Sequence, residues 1–130
     1  MKQILIVLEN RSGIIVDITT IMDEHNIDIE SIDAQAIGSI GVVRMVVDDY
    51  DTALKVLRDN DFNALTEEVF LVRLEDKPGA LGRVARIFTD AKIDIKSLRL
   101  VKRDGTSAIA AISCEKADEA RKLIKDILVE

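Results

Sequence analysis

Side chains able to take part in acid–base or covalent chemistry are few in this chain, and they are scattered. His25 is the only histidine and Cys114 the only cysteine. His25 stands where a helical pattern ends, a place that suits a last-turn cap. Cys114 closes the run Ala110-Ala111-Ile112-Ser113-Cys114, which reads as a small-residue buried strand. One histidine leaves little proton chemistry near neutral pH, and there is no Cys-x-x-Cys to carry a metal. Asp48-Asp49 reads as a pair of acids leading into a helix, and no nucleophile is paired with a base. No catalytic residue, metal site or cofactor is therefore expected. The remaining polar groups are better suited to holding a molecule than to changing one. Asn10 can donate and accept, Asp28 can accept from a cation, and Gly13 lies beside the first backbone N–H groups of a helix.

These groups belong to a unit that the chain contains twice. Leu8-Glu9-Asn10-Arg11-Ser12-Gly13 returns 66 positions later as Leu74-Glu75-Asp76-Lys77-Pro78-Gly79, and Ile27-Asp28-Ile29 returns as Ile93-Asp94-Ile95. Laid over 74–98 without a gap, residues 8–32 match identically at 8 of 25 positions, far above chance. A repeat of this length means two copies of one supersecondary unit with the same buried face. The expected division is 1–67 and 68–130.

Each copy opens with an apolar run, Lys2 to Leu8 or Val69 to Leu74, that reads as a central strand. After a polar loop and a glycine come apolar positions at helical spacing: Ile15, Ile18 and Met22, then Leu81, Val84 and Phe88. Pro78 suits a first helical turn. From Ile27 and Ile93 polar and apolar residues alternate, the sign of a strand with one wet face. Turn signals at Gly38-Ser39-Ile40-Gly41 and Asp104-Gly105 make hairpins with the runs Val42 to Val47 and Ser107 to Cys114. A second helix follows in each copy, carrying Ala53, Leu54 and Leu57, or Ala120, Leu123, Ile124 and Ile127. The repeat offset has become 67 there, which places a one-residue gain near the end of the third strand.

With Phe62 to Glu67 as a closing strand, the first copy is β-α-β-β-α-β. The expected fold is therefore α+β: two tandem ferredoxin-like modules, each an antiparallel sheet with both helices on one face. The second copy has only Leu128, Val129 and Glu130 after its last helix, so it lacks a full fourth strand. The edge of Val69 to Leu74 is then left unpaired unless something covers it, and a homodimer using that edge or the exposed sheet face is expected.

Composition excludes several function classes. The chain has 130 residues, 48% of them hydrophobic and only 3% aromatic, so its core must be aliphatic and it offers almost no surface on which bases could stack. RNA-binding modules of similar strand order need aromatic side chains on their central strands, and Ile4 to Leu8, Val42 to Val47 and Ser107 to Cys114 contain none. The net charge of −6, with basic residues scattered among acids, argues against phosphate backbones and anionic membranes. No segment approaches 18 apolar residues and the apolar start is too short for a signal peptide, so a soluble cytoplasmic protein is expected.

The two motifs Leu8-Glu9-Asn10-Arg11-Ser12-Gly13-Ile14-Ile15 and Leu74-Glu75-Asp76-Lys77-Pro78-Gly79-Ala80-Leu81, each followed by an Ile-Asp-Ile step, resemble those of the ACT domain family of small regulatory modules. The resemblance covers nearly the whole chain and is greatest to stand-alone proteins made of two such modules. It implies a free amino acid bound at an interface between modules, held by the loop after the first strand and the start of the second. On this sequence those positions are Asn10, Arg11, Ser12, Gly13, Ile14, Ile15, Asp28 and Ile29, with Asp76, Lys77, Gly79, Ala80, Leu81 and Asp94 in the second copy. A zwitterion needs donors for its carboxylate and acceptors for its ammonium, and the amides near Gly13, with Asn10 and Asp28, supply both. In the second copy Pro78 removes a donor, and Asp76 with Asp94 sets two carboxylates where the first copy has one, so an equivalent site is not expected. The resemblance implies an allosteric role, a regulated enzyme or transcription regulator reading the bound state. The competing reading is a protein-interaction scaffold whose ligand site has decayed.

Overall fold

The computed structural model describes residues 1–129. The chain divides into two compact units, Lys2–Glu67 and the residues from Glu68 onward together with Met1. Met1 belongs to the latter because its ammonium donates to the Val69 carbonyl at 3.0 Å and its carbonyl accepts from the Val69 N–H at 2.7 Å.

The first unit contains β1 (Lys2–Glu9), α1 (Ile14–Glu24), β2 (Ile29–Ile37), β3 (Ile40–Val47), α2 (Tyr50–Asp59) and β4 (Ala64–Glu68), with the sheet in the order β2-β3-β1-β4. Alternation along β1 and β3 turns Ile4, Ile6, Val43, Met45 and Val47 to one face. There they are buried against Ile14, Ile18 and Met22 of α1 and Ala53, Val56 and Leu57 of α2. Because both helices share this core, both lie on the same side of the sheet. The acids ahead of α2 serve the backbone. Asp48 accepts from the Asp28 N–H at 3.0 Å, and Asp49 caps the helix by accepting from the Thr52 N–H at 3.3 Å. The closing strand begins at Ala64, later than the expected Phe62, because Asp61 takes a left-handed turn conformation (φ 66°) just before it. His25 ends α1 and donates from Nδ1 to the Ile21 carbonyl at 2.9 Å.

The second unit repeats this plan with β5 (Phe70–Glu75), α3 (Ala80–Asp90), β6 (Ile95–Arg103), β7 (Ser107–Cys114) and α4 (Ala117–Leu123), in a three-stranded sheet ordered β5-β7-β6. Phe70, Val72 and Leu74 of β5 and Ala110 and Ile112 of β7 are buried with Val84 and Phe88 of α3 and Ala120 of α4. The fourth strand is reduced to a single bridge between Leu128 and Val72. Around it the Arg73 N–H donates to the Ile127 carbonyl at 2.9 Å and the Val129 N–H to the Leu71 carbonyl at 2.7 Å. The outer edge of β5 is thus partly covered by Ile127 to Val129. Ile127, expected on the helix, instead lies beyond its end, where its carbonyl serves this pairing.

The extra residue of the second copy lies in its second strand, not near the end of its third as expected. Ala34 and Ala36 of β2 pair with Val43 and Gly41, whereas in β6 Leu100 pairs with Ala110, the register slips, and Arg103 pairs with Ala108. The additional residue is Val101, taken up as a bulge. An edge strand can absorb an insertion by bending, whereas β7 is hydrogen-bonded on both sides and an extra residue there would break two ladders.

Candidate ligand-binding site

In the first unit β1 ends at Glu9, and the Asn10 N–H donates to the Ser39 carbonyl at 2.8 Å, tying this loop to the β2–β3 turn. The loop enters α1 through Gly13, whose φ of 85° is a left-handed conformation that a side chain would strain. No side chain caps this helix end, and a Cβ on Gly13 would meet nothing within 4 Å. The first intrahelical bond runs from the Asp17 N–H to the Gly13 carbonyl, leaving the N–H groups of Ile14, Ile15 and Val16 without acceptors among the described residues. Arg11 folds back along the turn, its Nη2 on Asp17 at 2.7 Å, so its charge is already paired.

A cavity of about 340 Å³ opens beside these groups. Asn10, Arg11, Gly13, Ile14, Ile15 and Val16 form one wall, and Ala34, Gln35, Ala36, Gly41, Val42 and Val43 the other. It stays open because the sheet positions nearest the loop are small. A side chain at Gly41 would touch Leu8 at 3.7 Å and the Asn10 backbone at 3.8 Å. The Asn10 side chain makes no hydrogen bond among the described residues, which leaves its amide free to donate and accept.

Five of the expected first-copy residues, Asn10, Arg11, Gly13, Ile14 and Ile15, come together at this cavity, and Ser12 sits exposed in the turn outside its lining. Asp28 and Ile29 lie at the other end of α1, an 11-residue helix about 16 Å long at 1.5 Å per residue. The backbone of Asp28 is tied to Asp48, while its exposed carboxylate has no hydrogen-bond partner among the described residues. Ile29 is half-buried against the core. The sheet wall was missed in the sequence. Its signal was the small-residue pair Ala34 and Ala36 placed two apart on one face.

The second unit has a matching cavity of about 330 Å³, lined by Asp76, Lys77, Gly79, Ala80 and Leu81 with Leu100, Arg103 and Ala108. Its polar groups are already engaged. The Asp76 carboxylate, 11% exposed, accepts from Arg103 Nε at 3.0 Å and from the Gly105 N–H at 3.1 Å, and Arg103 Nη2 forms an ion pair with it at 3.0 Å. Lys77 pairs with Glu75 at 2.5 Å, and that hydrogen bond holds the Glu75 carboxyl below the usual range. The Ala80 N–H reaches the Lys77 carbonyl at 3.3 Å, and Arg83 Nη1 lies 3.3 Å from where a Cβ on Gly79 would stand. Asp94 is at the far end of α3, so within the module the two expected carboxylates are not neighbours. Cys114 is buried, which pushes its thiol pKa up and makes it a poor nucleophile. No cluster of three or more histidine, cysteine and carboxylate side chains suited to a metal is gathered among the described residues.

Two glycine-led helices on duplicated antiparallel sheets, each with a notch beside the loop after the first strand, agree with a family model described as an ACT domain pair, which matches residues 1–129. The chain is an ACT domain pair. A crystal structure of a protein from Bacteroides thetaiotaomicron is similar at 26% identity with a TM-score of 0.80, over 98% of this ACT domain pair and 90% of that chain. The ligand-free regulatory subunit of aspartate kinase from Thermus thermophilus shares the fold at 16% identity and a TM-score of 0.63, over 97% and 91% of the two chains. The corresponding subunit from Thermus flavus does so at 14% identity and 0.63, over 96% and 90%. No curated protein matches the sequence.

Proposed function

We propose that this ACT domain pair is a non-catalytic sensor of a free amino acid, and that the bound state is read by a regulated enzyme or transcription regulator. The first-module cavity carries this reading. It brings three unpaired helix N–H groups and an uncommitted Asn10 amide together against an aliphatic wall, in a place where the nearest cation is already neutralised. A ligand carboxylate suits the amide end, which is electropositive as well as rich in donors. The side chain would lie against Ile15, Ala34, Ala36 and Val43, so an aliphatic one is favoured over a charged one.

The ammonium needs an acceptor, and Asp28 of the same module is a helix length away. Strand β2 lies at the sheet edge, with its late residues beside the Asn10 loop and Asp28 just before its start. Antiparallel pairing sets the beginning of one strand against the end of its neighbour. Pairing of β2 with β2 of a second copy would bring that copy's early β2 to the cavity, and with it the carboxylate that the ammonium requires. We therefore place the ligand at an interface between equivalent modules of a homodimer. The regulatory role named for the Thermus subunits of the same fold is in keeping with this reading. No helix among the described residues is long and apolar enough to cross a membrane, and a cytoplasmic location suits a sensor of free metabolites.

The test is a thermal melt of the protein with each of the twenty amino acids. Aliphatic ones should raise the midpoint most, since a ligand at 100 times its dissociation constant adds about 2.7 kcal/mol. If none of the twenty shifts the melt, the sensor reading is wrong.

A further inference from the structure

We propose that Arg103, which lines the second module's notch, commits Asp76 by pairing with it and so limits this protein to one bound amino acid per chain. The inference rests on the sensor reading above, and the two notches supply its argument. They are nearly equal in volume, about 340 and 330 Å³, so room does not distinguish them. What distinguishes them is one sheet position. Across the first sheet, Leu8, Gly41 and Ala36 lie in one row; across the second, the corresponding row is Leu74, Ala108 and Arg103. An arginine thus stands where the first module has an alanine. The Val101 bulge puts it there, because the register slip between Leu100 and Lys102 sets Arg103 opposite Ala108.

From that position the guanidinium pairs with Asp76, the counterpart of Asn10, giving it one hydrogen bond from Nε and an ion-pair contact from Nη2, and the Gly105 N–H gives a second hydrogen bond. A zwitterion entering here would have to displace Arg103 with its own ammonium, and its carboxylate would then face the carboxylate of Asp76. Like charges that close disfavour the complex. Asn10 carries no charge and has no internal partner, so the first notch makes neither demand.

Isothermal calorimetry with the aliphatic amino acid that most stabilises the wild type tests this. The wild type should bind one per chain, and the double variant Asp76→Asn with Arg103→Ala, which copies the polar set of the first module, should bind two. Asn10→Ala should weaken the wild type's single site about tenfold, and in the double variant should weaken one of the two sites and leave the other unchanged. A backbone amide titration of the wild type gives an independent check. Signals of Gly13 to Val16 should move, and those of Gly79 to Leu81 should not. Two ligands per chain in the wild type, shifts at Gly79 to Leu81, or a folded double variant still binding one would each overturn the proposal while leaving the sensor reading intact. Absence of any binding by the wild type would overturn both.

Discussion

At the scale of single residues, the two copies of the motif differ in how far their polar groups are already committed. The Asn10 side chain has no internal partner, whereas the Asp76 carboxylate accepts two hydrogen bonds and pairs with the Arg103 guanidinium. Replacing Asn10 with alanine should therefore leave the fold intact and weaken amino-acid binding by about tenfold, the equivalent of about 1.4 kcal/mol, which calorimetry would read. A different aspartate shows how the turn in the second module is held. Asp104 accepts from the N–H groups of Ser107 at 2.7 Å and Thr106 at 2.9 Å, and these bonds hold its carboxyl below the usual aspartate range. Since the folded pKa lies below the unfolded one, the stabilisation is fully present above the ordinary aspartate value and is lost as pH falls through the depressed one. A carbon-detected NMR titration should give Asp104 a midpoint lower than that of an unstructured aspartate. The roles of His25 and Cys114 could be read from sequence position alone, because a helix end and a small-residue strand each leave one plain use for such a side chain. The pairing of Asp76 with Arg103, 27 residues apart, could not.

At the scale of elements, strands and helices followed from periodicity, because a buried face forces apolar residues to recur at two or at three to four. Ile4 and Ile6 on β1, and Ile18 and Met22 on α1, are buried where that spacing requires. The Val101 bulge left no such mark, since an added residue in a strand changes register without changing composition. Where Leu128 and Val129 pair is a tertiary matter that local sequence does not show. The Val129 N–H bond to Leu71 holds them against β5. Val129→Pro removes that donor and should cost about 1 kcal/mol of stability. It should also uncover the β5 edge, so light scattering should show association that rises with concentration. A variant as monodisperse as the wild type would show that this bond does not guard the edge.

At the scale of the whole molecule, the proposed site is complete only in the proposed dimer. Ile32, on the edge strand β2, is 41% exposed, and the strand's outer hydrogen-bonding edge is unpaired in the sheet order. We expect sedimentation at tens of micromolar to give a dimer, twice the 14.4 kDa chain. Ile32→Lys should give a monomer with weakened ligand binding, because lysine blunts edge pairing; a monomeric wild type that still binds an amino acid would rule out the shared site. The sequence alone determined the duplicated unit, its strand order and the loop-and-glycine notch. Repetition and periodicity are local properties, written along the chain. Only the tertiary structure decided that one notch is free and the other engaged, and that Asn10 and Asp28 lie at opposite ends of a module. Those outcomes depend on which strand positions face each other across a sheet, and a single added residue is enough to replace an alanine with an arginine in the row beside the site.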